Sequence, residues 1–198
     1  ASGGATALDG LSDAKSQGTN FTRSLILGHQ SHGTLSSATS NTLVGIGAGG
    51  SAITSANSVT AIGAGAGGAI TSGGDNTIIG KNALDACLTG TGNIAIGGNA
   101  LGVYTGSNNT AVGYAVLDAA TSATHQTAVG YYALSANQTG AECTAVGHQA
   151  LANTTHWNNT AVGSEAATSL VGGYNCTAVG FQAMQSGTGA ASNTAIGA

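Results

Sequence analysis

Two carboxylates held about 5 to 10 Å apart across a glycosidic bond would make this 198-residue chain a glycan hydrolase. Beyond residue 23 the acids are Asp75, Asp85, Asp118, Glu142 and Glu165. They are read as falling in different columns of the repeat described below, so no pair is set on adjacent coils, and Glu142 and Glu165 could approach only through loops. A metal needs several converging ligands, whereas His29, His32, His125, His148 and His156 are scattered, and His29 and His32 have no third ligand near them in sequence. Cys87, Cys143 and Cys176 are odd in number and lack CxxC or Cys/His spacing, so neither a zinc site nor a disulfide framework is expected. Serines are everywhere and converge on no His and Asp. The glycine-rich stretch 45–49 lacks the Lys-Ser/Thr ending of a phosphate loop. The reading is of a chain with no catalytic residue, no metal and no cofactor.

Recognition then rests on the few large side chains. Tyr104, His125, His156, Trp157 and Tyr174 stand in variable segments and are the candidates for contact with a receptor, His156 and Trp157 foremost. Aromatic side chains on a flat surface stack on sugar faces or anchor a protein partner. Tyr114, Tyr131, Tyr132, His148 and Phe181 follow a recurrent glycine and are read at least as readily as plugs for gaps in the coil or between subunits.

The elements that must carry these residues are unusual in composition. Charged residues are 5% of the chain, against about 25% in ordinary domains, Gly is 34 of 198 and Pro is absent. Aromatics are 4% while apolar residues in all are 41%, which excludes both a core of large interlocking side chains and a disordered polar linker. Three cationic residues and a net charge of −4 exclude a phosphate backbone as main partner. No apolar run approaches the roughly 20 residues of a membrane span, and no signal peptide is in view. The first residue is Ala1, and a processed or excised piece of a longer chain is expected.

The chain is periodic. Aligned on Asn-Thr-Ala-Val-Gly, as at 109–113 and 159–163, the glycines fall at 45, 63, 80, 97, 113, 130, 147, 163, 180 and 197, and one step back lies Gly28. Spacings of 16 to 18 residues are too short for helical hairpins or propeller blades, which need about 33 to 45. They suit one coil each of an all-β, parallel β-solenoid of about eleven coils over 24–198, preceded by a junction segment at 1–23.

The residue before each glycine, from Leu27 and Val44 to Val179 and Ile196, is aliphatic and mostly β-branched, and it is assigned to the interior. Its strand neighbours alternate in direction, so the column of Ile26, Leu43, Ala61, Ile78, Ala95, Ala111, Ala128, Ala145, Ala161, Ala178 and Ala195 is expected to face outward and to pack against other copies of the chain. A homo-oligomer follows, with three-fold packing favoured. After the glycine, Gly-x-x-Ala-Leu places Leu84, Leu101, Leu117, Leu134, Leu151 and Met184 on the opposite inner wall. The Thr column, Thr42 to Thr194, and the Asn column of 41, 76, 93, 109, 159 and 193 are expected to stack as coil-to-coil polar ladders. Cys143 and Cys176 share a column two coils apart, about 9 to 10 Å, beyond disulfide reach.

The repeat Asn-Thr-Ala-Val-Gly-x-x-Ala-Leu resembles the fibre repeats of marine bacteriophage structural proteins and, less closely, the Asn-Ser-Val-Ala-Ile-Gly repeats of trimeric autotransporter adhesin heads. The opening Leu8-Asp9-Gly10-Leu11-Ser12-Asp13-Ala14-Lys15, followed by residues 24–28, is similar to the start of such phage proteins. This resemblance implies a left-handed, trimeric roll in a virion appendage that touches a host-surface glycan or protein, alongside other virion proteins and without membrane insertion. A bacterial cell-surface adhesin head is the nearest alternative, and an ice-binding solenoid, suggested by the Thr columns, is a third. Two departures stand out: Gly47, Gly49, Gly65 and Gly67 replace the Ala-Leu pattern early in the chain, and no chaperone or receptor-binding tip follows the repeats. The charge concentrated at Asp9, Asp13, Lys15 and Arg23 suits a cap, whereas the last coil is expected to be covered by further chain or by another protomer.

Overall fold

The computed structural model describes residues 14–15, 24–28, 37–50, 53–189 and 191–198; most of the junction segment and the pair His29 and His32 lie outside the described residues. Among those described, all regular structure is β. The strands are β1 (Ala14–Lys15), β2 (Leu25–Leu27), β3 (Thr42–Val44), β4 (Thr60–Ile62), β5 (Thr77–Ile79), β6 (Ile94–Ile96) and β7 (Thr110–Val112). They continue with β8 (Thr127–Val129), β9 (Thr144–Val146), β10 (Thr160–Val162), β11 (Ser169–Val171), β12 (Thr177–Val179), β13 (Ser186–Thr188) and β14 (Thr194–Ile196).

From β2 to β14, omitting β11 and β13, eleven strands stack in parallel, repeat upon repeat. Thr110, Ala111 and Val112 pair with Thr127, Ala128 and Val129, and the same columns continue along the sheet. The chain is a β-solenoid, as its period requires. About nine turns are described, between β3 and β14, and the turn joining β2 to β3 falls mostly outside the described residues. At about 4.8 Å per step the sheet extends about 48 Å from β2 to β14. β1 lies antiparallel on β2, so its backbone covers the first edge. A second wall is held by hydrogen bonds from each coil to the next, Thr54 N to Thr71 O (2.8 Å) and Thr71 N to Leu88 O (2.9 Å), and becomes a regular strand pair at β11 and β13.

The strand faces are the reverse of the expected ones. Ile26, Leu43, Ala61, Ile78, Ala95, Ala111, Ala128, Ala145, Ala161 and Ala178 are buried inside their own chain, and Ala195 in the last strand is half-buried. Outward point the β-branched residues on either side: Thr110 and Val112, Thr144 and Val146, Thr160 and Val162. The physical reason is room. Leu84, Leu101, Leu117, Leu134 and Leu151 enter from the opposite wall, as expected, and are fully buried, with Met184 packed against the same core. Each contributes about 1.5–3 kcal/mol by burial, and an Ala across from it fills what is left. Val and Thr fit the pleated outer surface, which is what β-propensity measures.

The Asn column bonds from coil to coil, as expected, and is internal from Asn41 to Asn159, whereas Asn193 in the last coil is exposed. Asn76 Oδ1 accepts from the backbone N–H of Asn93 (2.9 Å), and Asn93 Oδ1 accepts from that of Asn109 (3.1 Å). Their Nδ2 groups donate to turn carbonyls of the next coil, Gly90 O (2.8 Å) and Gly106 O (3.0 Å). Each buried amide thus stitches two coils, so none of the desolvation penalty of an unpaired polar group is incurred. Gln126 occupies one rung, one methylene too long, and its Oε1 is buried without a partner.

The repeat glycine is dictated by backbone geometry. From Gly45 to Gly197 its φ lies between +127° and +139°, where residues with a Cβ are strained. A Cβ at Gly63 would also stand 2.7 Å from Gly80 O of the next coil. Two and four residues later the chain is again left-handed, as at Asn99 (φ 56°) and Leu101 (φ 55°). Each such non-glycine residue costs of order 1 kcal/mol. Alternating right- and left-handed residues aim successive backbone groups up and down the rod: Asn99 N–H donates to Lys81 O of the previous coil (3.0 Å), and Leu101 N–H to Val116 O of the next (2.9 Å). The early glycines Gly47, Gly49, Gly65 and Gly67 occupy these same two positions at φ 62–76°, which accounts for the departure seen in the sequence.

Candidate functional site

The outer Thr/Val face is bordered by two edges, and the large side chains gather on them. The edge preceding each strand contains a left-handed residue in every described coil, Ser58, Asp75, His125, Glu142 and Asn158 among them. Short polar residues tolerate that conformation best, hence the run of Ser, Asp and Asn there. Here lie four of the five receptor candidates. His125 is exposed at φ 57°. Trp157 (53% exposed) and Tyr174 (41%) hold equivalent positions on successive coils. His156 is half-buried, its Nδ1 2.9 Å from Thr155 Oγ1 and its ring 5.8 Å from that of Trp157.

Tyr104, the fifth candidate, does not belong with them. It is fully buried in the core, its hydroxyl bonded to Asn109 Nδ2, and burial pushes that hydroxyl far above its ordinary pKa. Its position seven residues past the repeat glycine points inward, between Cys87 one coil before and Ala120 one coil after. These are small enough to leave space for a ring.

On the edge following the glycine stand the aromatics read as plugs. Tyr114 is 47% and Tyr131 49% exposed, and Phe181 is exposed as well. The rings of Tyr114 and Tyr131 are 5.6 Å apart at 16°, and Tyr131 and His148 are 5.7 Å apart at 20°. Tyr132 meets both tyrosines edge-on, at 6.0 and 4.4 Å. The column itself signals this ladder, since Tyr114, Tyr131 and His148 each come one residue after the repeat glycine; what the sequence lacks is the direction they face.

Asp85 and Asp118, contrary to the expectation of separate columns, both lie five residues past a repeat glycine, two coils apart with Gly102 between. Burial raises both carboxyls; at Asp85 a backbone hydrogen bond works against this and the charge of Asp118 adds to it. Glu165 does not face Glu142: its Oε2 accepts from Gln182 Nε2 (2.7 Å) and Gln185 Nε2 (3.3 Å). All three cysteines are buried thiols; burial pushes up that of Cys87, and that of Cys143 to about 11. Among the described residues no group of three or more His, Cys, Asp or Glu could hold a metal ion, and no helix is long and apolar enough to cross a membrane.

Fold and surface together define a parallel β-solenoid whose outer features are one β-branched face and two edges bearing aromatic side chains. No protein-family model, curated protein or solved structure matches the chain.

Proposed function

We propose that this chain is a structural and adhesive rod: copies associate side by side through the Thr/Val face, three-fold packing being favoured, and the assembled fibre presents its aromatic edges to a host surface. The observation that carries the reading is the column from Leu27 to Ile196, aliphatic in all eleven repeats and directed outward. A face about 48 Å long with Leu, Val or Ile at each step leaves apolar surface that a second copy would remove from water. The near absence of charge fits such a mating surface. The resemblance of the repeat to phage fibre proteins makes a virion tail or head fibre the favoured setting, and a bacterial adhesin head the alternative.

Sedimentation of the purified chain tests the association. The expected mass is three times 18.7 kDa, and Val129→Lys with Val146→Lys is expected to yield folded single chains. A wild-type chain that sediments singly at micromolar concentration overturns the reading.

One further observation favours the ice-binding alternative, namely that Thr and Val columns both face outward on one regular parallel sheet. Thermal hysteresis in a solution of single chains would support it and count against the rod.

A further inference from the structure

The columns on either side of the repeat glycine follow different rules. Before it, every residue is aliphatic. After it, Ile46, Ala64, Lys81, Gly98 and Ser164 share the column with the rings of Tyr114, Tyr131, His148 and Phe181. A surface that mates with an identical copy along its length calls for uniform chemistry, whereas a surface that binds a ligand locally needs the right groups only where the ligand lies. Tyr114, Tyr131 and His148 occupy three successive coils of this variable column, and Tyr132 braces the row edge-on.

We propose that this row is a binding site for the pyranose rings of an uncharged glycan lying along the rod axis. The proposal deepens the adhesive reading by assigning the contact to this edge rather than to the Trp157 edge. Ring separations of 5.6 and 5.7 Å at near-parallel planes exceed face-to-face contact, and Tyr114 and Tyr131 each keep about half of their surface exposed, which leaves ring surface for a ligand. Exposed ring faces accept the C–H face of a sugar, and tyrosine hydroxyls and the imidazole at the rim supply donors and acceptors for its hydroxyls. Identical backbone steps of about 4.8 Å present one ring per coil, which favours a polymer over a single small ligand. Within this column Lys81, two coils before Tyr114, is the one lysine or arginine, so the row offers no fixed cation to pair with an acidic glycan.

The test uses the whole chain with immobilised dextran, mannan and galactan as probes. Wild type is expected to bind at least one, with tyrosine signals perturbed and the emission of Trp157, the single tryptophan, unchanged. Tyr131→Ala should weaken binding about tenfold and Tyr131→Phe by much less, while Trp157→Ala stays within a factor of about two. Ser164 and Gly98 occupy the same column, so a small residue at 131 leaves the coil intact, and Tyr114→Ala provides an independent second variant. Binding to none of the three polysaccharides overturns the proposal. So does loss of binding on Trp157→Ala alone, which leaves the adhesive reading standing. A fall in oligomer mass on Tyr131→Ala would likewise overturn it and assign the row to the contact between copies.

Discussion

The coils around Gly45 and Gly63 and those around Gly97, Gly113 and Gly130 follow one backbone path and fill it differently. In the early pair, Gly47, Gly49, Gly65 and Gly67 take the two left-handed positions without strain but contribute no side chain, and Ile53 and Ile70 fill the core from further round the turn, with Leu43 also in the strand. A Cβ at Gly49 would stand 2.7 Å from Leu43 Cδ1 and 2.8 Å from Ile53 Cδ1. In the middle coils Leu101, Leu117 and Leu134 sit at φ 51–55°, incurring the left-handed penalty in exchange for a buried side chain, and the strand seat shrinks to Ala. The coil around Gly163 is intermediate: Ala167 stands at the Leu position and Leu170 fills the core three residues later. What stays constant is the backbone geometry, not the residue that fills the core. Among the described residues, the aromatics on the edges belong to the middle and later coils.

The largest expected effect separates the two faces of a strand. Ala128→Lys buries an unpaired charge in the core and should destabilise the chain by about 4 kcal/mol or more, or prevent folding. Val129→Lys should leave the unfolding free energy of the single chain, measured in urea, within about 0.5 kcal/mol of wild type while abolishing association. Next are the repeat glycines. Gly63→Ala in the early region and Gly113→Ala in the middle should each cost about 2–4 kcal/mol, because φ and the close approach of the next coil's backbone are common to both. A clear difference between the two, measured by denaturant unfolding, would break the claim of a shared backbone.

Smaller effects probe the filling. Gly49→Leu, which imports the middle-coil solution, should cost about 1–3 kcal/mol by overpacking, and Ile53→Ala in the same chain should recover part of it. The internal column that holds Asn41 early holds Cys143 later. Burial raises the Cys143 thiol to about 11 in the folded chain, so its unfolded form loses the proton first. Its contribution is therefore complete below about pH 9 and is lost as pH rises toward 11, by about 1–2 kcal/mol, and Cys143→Ala should flatten that part of the stability curve. The smallest change is a gain: Gln126→Asn should restore the ladder and add about 0.5–1 kcal/mol in thermal or urea unfolding.

Much of this was legible in the residues. The spacing of the glycines announced the solenoid, the Leu column its inner wall, and the Asn column its ladder. The inside of the strand was not legible, because Ala128 and Val129 are both apolar and a period of two allows either to face the core. The edges were half legible: Trp157 is exposed as expected, but His156 beside it is half-buried, Tyr104, in an equally variable segment, is internal, and the Tyr114–Tyr131–His148 row is on the surface.

The sequence by itself determined the period, the parallel stacking, and the positions where only glycine or a left-handed residue can stand, because these follow from local backbone geometry repeated coil after coil. Only the tertiary structure decided which apolar column is enclosed and which rings are left in water. That choice depends on how much volume the opposite wall has already filled, a quantity that belongs to the closed coil and to no single position within it.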